Sequence, residues 1–327
     1  MSALTLVRPV ESIPGYCSVP ANVLLVVDGL GVNLFAFTPD RNRSWLFCSK
    51  DYVPGTADWG SLIRQQTRTL YAVEADRVLL QERLLAKLDL ILDCPAIPAA
   101  ERVEILQLAV THEIATAFAA PSVESAVRCA LAVGNRVART IRAADLLPQE
   151  IVAVLEHDRN TYTHVLNVSI LLTMLGRGLG IESNDELASL AMGGLLHDVG
   201  KRKLPRSILQ SRNRLTREER AVIQTHPLAG YEELASRPDL QRRQLMMVYQ
   251  HHEHLDGRGY PVGIGGDDIH PWAKMCAVID VFEALTGRRP YREPEGIEAA
   301  LEQLRKIAGT HLDAEAVECW ITTLHDN

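Results

Sequence analysis

The sequence predicts a mainly α-helical protein, with a small α/β or β-rich unit ahead of a long run of helices. Three observations carry that prediction. Apolar runs of strand length, broken by Gly, Pro and polar residues, occupy the chain up to about residue 75. From residue 76 onward apolar residues recur at three- and four-residue spacing, the signature of one buried helix face. Legible caps with short connections then follow one another, without internal repeat or low-complexity tract. The expected division is 1–75 as the small regulatory or architectural domain, 76–145 as a helical linker or bundle extension, and 146–327 as the main helical domain.

In the first region NVLLVVDGLGVNLFAF reads as strands separated by a tight turn at Asp28-Gly29. SWLFCS and TLYAV read as two further short strands, with TADWGSLIRQQ between them as a helix. Helices are expected from 76 through ADRVLLQERLLAKLDLIL, then over 98–119 and 121–144, divided by Ala120-Pro121. In the last region Ser183-x-x-Glu186 and Thr216-x-x-Glu219 match capping boxes. Gly200 is the expected C-cap of the helix ending at LLHDV. Pro271 and Pro294 are expected in first helical turns.

With 47% hydrophobic and 23% charged residues and a net charge of −7, the chain has the composition of a globular protein. That charge carries no footprint for bulk nucleic-acid binding, so an anionic ligand must meet a local basic cluster or metal ions. No apolar run reaches the roughly 18 residues that span a bilayer, and the N-terminus does not read as a signal peptide. Six cysteines at 17, 48, 94, 129, 276 and 319 show no CxxC spacing, which points to small buried hydrophobes in a reducing cytoplasm.

Eight of the 11 histidines lie between 157 and 270. Those in TYTHVLNV, LLHDVGK, QTHPLAG and HHEHLDGRGYP, with the aspartates of LLHDVGK and AVIDVFEALT, form a candidate ligand set: His164, His197, Asp198, His226, His251, His252 and Asp280. They span more than 100 residues, so no local motif can assemble them, whereas facing helices of a bundle can. Imidazole with carboxylate suits Fe, Mn, Zn, Ni or Cu. Seven ligands exceed the needs of one ion but suit two if Asp198 is shared. One partition gives His164, His197, Asp198 and Asp280 to the first ion, and Asp198, His226, His251 and His252 to the second. Two such ions about 3.5–4 Å apart can generate hydroxide and clamp a phosphate. A buried carboxylate in the apolar run LLHDVG requires a compensating cation in any case. His157, His254, His270, His112, His311 and His325 are read as surface or supporting groups.

HDVGK, HHEHLDGRGYP and DVFEALTGRRPYR, in that order, resemble the HD-GYP subgroup of HD-domain metal-dependent phosphohydrolases over roughly 150–310. The resemblance implies a helical bundle around a dinuclear, sometimes trinuclear, metal centre that hydrolyses cyclic di-GMP to pGpG and often on to GMP. It carries the ligand role onto the same seven residues. It places Lys201 near the scissile phosphate, Tyr260 against the substrate, and Arg289 and Arg292 on phosphates, a task that suits a planar guanidinium. Asp198 and Lys201 are the implied catalytic residues. Trinuclear members carry a glutamate four residues before the first ligand histidine; here that position is Asn160, so two divalent ions, iron or manganese before nickel or zinc, are expected and a third is not. Arg258 stands where a small residue is more usual. The N-terminal unit looks like the small α/β domain that precedes some catalytic modules, without a recognisable receiver phosphoacceptor.

The expected activity is cyclic di-GMP hydrolysis in bacterial second-messenger signalling, in the cytoplasm. Partners implied are the dinucleotide, a GGDEF-type diguanylate cyclase, and a second copy through helices of 76–145. Two alternatives stand beside it: the same centre acting on another nucleotide or cyclic dinucleotide, and a module that binds the dinucleotide or docks the cyclase with little turnover.

Overall fold

A computed structural model of the chain describes residues 13–37, 43–51, 68–143, 148–155, 161–209, 211, 214–287 and 294–325. The chain separates into two compact units: residues 1–112 with 144–156, and residues 113–143 with 157–327.

In the first unit four strands form one antiparallel sheet. They are β1 (Tyr16–Pro20), β2 (Leu34–Phe37), β3 (Ser44–Cys48) and β4 (Thr69–Val73), in the order β1-β4-β2-β3. Period-two alternation buries Cys17, Val19, Leu34 and Ala36 on one face. Edge-to-face ring contacts, Tyr16 with Phe35 and Phe37 and Phe37 with Tyr71, tie three strands together on the other.

Strands SWLFC and TLYAV lie where the sequence places them. The run starting at Asn22 does not begin as a strand. Ala21–Leu25 is a 3-10 turn, and the first strand is the preceding YCSVP. An apolar run this short has no periodicity to separate the two states. Here Val23 and Leu24 are both buried, which alternation in a strand would not allow on one face. Asp28-Gly29 accordingly lies in an irregular connection and not in a hairpin turn. The helix expected over TADWGSLIRQQ lies outside the described residues.

Helix α1 (Arg77–Leu92) buries Leu80, Leu84, Leu88 and Ile91 along one stripe. Gln81 shares the stripe and satisfies its amide on the Leu108 carbonyl at 2.9 Å. Helix α2 (Ala99–Ala119) contains the division between units, after His112. Helix α4 (Pro148–Val154) belongs with the first unit.

The second unit is helical. Its centre is α3 (Val123–Arg142), α5 (Thr161–Gly178) and α6 (Asn184–Leu196), packed on one another. The short α7 (Arg206–Leu209) and α8 (Arg217–Ile223) lead to α9 (His226–Leu234) and α10 (Arg242–Gln250). Helix α11 (Pro271–Thr286) packs on α5 and α10, and α12 (Ile297–Ile307) and α13 (Ala314–His325) close the unit. Phe282 and Trp320 meet edge to face at 5.3 Å in its core.

The helix starts at Ser183, Thr216 and Pro271 lie where the sequence places them, and the expectations at Pro294 and Gly200 do not hold. Ser183 accepts from the Glu186 N–H, and Thr216 with Glu219 forms a complete reciprocal box. Pro271 occupies the first position of α11. Pro294 instead lies ahead of Gly296, the N-cap of α12. Gly200 is not a C-cap: α6 ends at Leu196, and Gly200 sits inside a 3-10 turn, Val199–Lys203. Its missing side chain serves a different need. A Cβ there would lie 2.0 Å from the His226 carbonyl oxygen and 2.6 Å from the Gly230 nitrogen, so only glycine lets α9 approach this turn.

Candidate metal centre

Five helices bring seven side chains to one place. His164 projects from α5, and Asp280 from the middle of α11. His197 caps α6 and Asp198 follows it into the 3-10 turn. His226 opens α9; His251 caps α10, with His252 next in the chain. Their donor atoms fall into two groups: Asp198, His226, His251 and His252, and His164, His197 and Asp280. Within each group the atoms lie within 4.8 Å of one another.

Asp198 faces both groups. Its Oδ2 lies 3.6 Å from His164 Nε2 and 3.5 Å from His197 Nε2. Its Oδ1 lies 3.1 Å from His226 Nε2 and 3.8 Å from His251 Nε2. Asp280 Oδ1 is 3.3 Å from His164 Nε2, and its Oδ2 is 4.0 Å from His252 Nδ1.

Hydrogen bonds on the far side of the rings set the tautomers. Nδ1 of His197 meets the Gly194 carbonyl at 2.7 Å, that of His226 the Ile223 carbonyl at 2.8 Å, and that of His251 the Val248 carbonyl at 3.0 Å. A carbonyl only accepts, so each Nδ1 carries the proton and each Nε2 presents a lone pair inward. The Nε2 atoms of His226 and His251 are 3.2 Å apart, two lone pairs aimed at one space. His197 Nε2 and Asp198 Oδ1 are buried without a hydrogen-bond partner. Buried acceptors converging in this way need a cation, and the donor set fits a divalent metal. The cluster is able to bind metal ions.

Electrostatics favour the same state at Asp198, Asp280, His251 and His252, and oppose it at His164. Burial raises the Asp198 pKa, but the Lys201 ammonium and His197 outweigh it and hold the carboxylate well below its usual range. Burial is likewise overcome at Asp280, chiefly by His164. Burial and neighbouring imidazoles hold His251 well below its ordinary value, and burial brings His252 to about 3. Both rings are therefore neutral, as ligands must be. At His164 burial opposes the charge, but Glu283 and Asp280 prevail and push the ring up to about 10.

Glu283 is not among the seven ligands that the sequence predicts. One turn beyond Asp280 on α11, its buried carboxylate accepts from His164 Nδ1 at 2.6 Å, while the Asn167 amide donates to its other oxygen at 3.2 Å. A carboxylate behind a ligating imidazole orients the ring and strengthens it as a donor. The i, i+3 spacing from Asp280 was the available signal.

The remaining sequence candidates divide. Lys201 donates to Asp198 Oδ2 and is partly exposed. Tyr260 stacks on His252, centroids 4.6 Å apart and planes at 29°. Burial, then Asp280 and Asp198, raises its phenol, so the O–H stays protonated. The Arg258 side chain is 85% exposed and points to solvent. Asn160, Arg289 and Arg292 lie outside the described residues. His270 caps α11 by accepting from the Trp272 N–H, and His254 stacks on His311. All six cysteines are free thiols.

A family model described as "HD domain" matches residues 141–316, more than half of the chain. The chain belongs to the HD domain family. Its His197-Asp198 doublet and its Gly259-Tyr260-Pro261 segment place it in the HD-GYP subgroup. Among HD-domain relatives, "Cyclic di-GMP phosphodiesterase response regulator RpfG" of Xanthomonas campestris pv. campestris is 32% identical over 201 residues, 60% of this chain and 53% of that protein. "3'3'-cGAMP-specific phosphodiesterase 2" of Vibrio cholerae is 35% identical over 171 residues, 51% of this chain and 32% of that protein. The chain thus spans about half the length of the first and a third of the second. The solved HDG"Y"P protein Bd1817 of Bdellovibrio bacteriovorus shares the fold, with a TM-score of 0.63 and 19% identity over 95% of this chain and 100% of that one. No described helix is long and apolar enough to cross a membrane.

Proposed function

We propose that this chain is a metal-dependent phosphodiesterase that hydrolyses cyclic di-GMP to linear pGpG, with GMP as the product of a second cleavage. One observation supports it above the rest: the two oxygens of Asp198 turn to two different groups of imidazoles, the geometry of a shared ligand. On this reading His164, His197, Asp198 and Asp280 hold one divalent ion, and Asp198, His226, His251 and His252 hold another. Iron or manganese suits these donors best, with nickel or zinc as substitutes. A third ion is not proposed, since Asn160 offers no anionic ligand. Bound there, the ions supply hydroxide at neutral pH and a clamp for phosphate oxygens.

The chain's own groups do the rest. Lys201, beside Asp198 and partly exposed, offers its ammonium to a phosphate oxygen as negative charge builds. Tyr260 presents a protonated O–H and a ring face at the rim. Arg289 and Arg292 are proposed to grip phosphates bidentately. The first test is anaerobic loading with Mn(II) or Fe(II), incubation with cyclic di-GMP, and chromatography for pGpG. Absence of product with either metal would sink the reading.

A second reading, a different cyclic dinucleotide, is favoured by the relative named for 3′3′-cGAMP. The same assay with 3′3′-cGAMP alongside decides between them by relative kcat/KM. Tight binding of either without turnover in any metal would instead support a sensing module. The proposed compartment is the cytoplasm, which the six free thiols suit. A GGDEF-type diguanylate cyclase is the proposed protein partner. Helices of 76–145 are the proposed homodimer face, supported by exposed Val78, Leu79 and Leu90 on α1; light scattering of the full chain tests it.

A further inference from the structure

Glu253, the residue after the His251-His252 pair, is 2% exposed, an unusual place for a carboxylate. Among the described residues no ion pair forms at its carboxylate. It faces backbone instead. Its Oε1 accepts from Val262 N at 2.8 Å and Gly263 N at 3.1 Å; its Oε2 accepts from Gly263 N at 3.0 Å and Ile264 N at 3.2 Å. Three successive N–H groups thus converge on one buried anion, an arrangement in which each charge-assisted bond is stronger than a neutral one.

The segment between the two ends of this grip is 254–261, which carries Tyr260. Tyr260 N donates to the His252 carbonyl at 3.0 Å. Gly259 passes so close beneath that a Cβ there would lie 2.4 Å from Glu253 Cα and 2.5 Å from the His252 oxygen. On the outer side Leu255 N and Asp256 N donate to the His311 and Thr310 carbonyls. Backbone bonds thus hold the segment to His252, Thr310 and His311, and Asp256 Oδ1 accepts from the Arg258 N–H within it at 3.0 Å. The Glu253 side chain ties residues 262–264 back to its start.

We propose that Glu253 is a positioning residue for substrate binding: by capturing the N–H groups of Val262, Gly263 and Ile264 it holds Tyr260 stacked over His252 at the rim of the metal centre. The proposal rests on the reading that Tyr260 meets the substrate. Glu253→Gln keeps the size but puts an NH2 where an acceptor stood, so at least one N–H loses its partner. Glu253→Asp keeps the charge and withdraws it by one methylene.

The test has two arms on the full chain. The first is hydrogen exchange at the amides of 262–264 with metal content measured in parallel; it needs no turnover. Expected in Glu253→Gln is exchange faster by roughly tenfold or more at those amides, with metal per chain unchanged, and a smaller effect in Glu253→Asp. The second is steady-state kinetics with cyclic di-GMP for Glu253→Gln, Tyr260→Ala and the double variant. Expected is a rise in KM larger than the fall in kcat, with the double variant no worse than Tyr260→Ala alone, since both act through one ring. Unchanged exchange in both Glu253 variants overturns the clamp. Additive losses overturn its action through Tyr260. Normal exchange effects with no turnover of any cyclic dinucleotide by the parent chain would leave the clamp standing and overturn the substrate-positioning role together with the proposed function. Should Glu253→Gln not fold, the Glu253→Asp arm carries the same criteria.

Discussion

His226 and His251 point their Nε2 atoms at each other across 3.2 Å, while both Nδ1 atoms are committed to backbone carbonyls. Neither ring has a proton to place between them. Metal should therefore stabilise the fold strongly. Titrating Mn(II) into chelator-treated protein is expected to raise Tm, by the equivalent of about 2.7 kcal/mol once metal reaches about 100 times Kd. A Tm indifferent to metal would contradict the centre.

Asp198 is the shared group, so its loss should be felt by both ions. Asp198→Ala is expected to cut metal per chain from two to one or none, measured by elemental analysis, and to abolish turnover while circular dichroism stays helical. Retention of two ions per chain would refute the sharing. Unfolding together with metal loss would instead make the site structural as well.

Glu283 holds His164 from behind at 2.6 Å. Glu283→Gln keeps a hydrogen-bonding group there but removes the charge. Metal affinity should fall by about 10–100-fold at one of the two sites, with the other little changed. Calorimetric titration resolves the two. Equal weakening of both, or of neither, would remove Glu283 from this role.

Metal-free stability should peak near neutrality, for two reasons of opposite sign. His251 and His252 titrate in the folded state below the ordinary histidine value of 6.5, His252 at about 3. The unfolded chain then binds more protons, so stability is lost as pH falls from about 6.5 toward 3. His164 is raised to about 10. Its contribution is fully present below about pH 6.5 and is lost as pH rises toward 10. Tm in chelator, scanned from acid to alkaline pH, should be bell-shaped. A plateau across the alkaline limb would remove the His164 contribution.

Gly200→Ala tests the close approach of α9. The added methyl would meet the His226 carbonyl at 2.0 Å, and that is backbone, which cannot turn aside. A loss of about 1–3 kcal/mol is expected in denaturant melts, with weaker metal binding because His226 moves. An unperturbed midpoint would mean the turn has room the geometry denies.

Much of this was legible in the residues. Helix starts were written in local chemistry, as at Thr216, Glu219 and Pro271, because a cap depends on neighbours within one turn. The seven candidate ligands stood out by type and context. Less was legible where one string serves two purposes. The apolar run after Pro20 suits a strand or a tight turn equally, and burial of both Val23 and Leu24 chose the turn. Gly200 looked like a helix stop, yet its neighbour in space is His226, a residue no local rule connects to it.

The sequence by itself determined which donors exist, their order, and the helices that carry them, since these rest on periodicity and contacts within a few residues. Tertiary structure alone decided that Asp198 looks both ways, that the Nε2 lone pairs converge, and that Glu283 backs His164 from 119 positions away. Those relations depend on how helices pack, to within an ångström, and helical periodicity specifies a face but not what that face will meet.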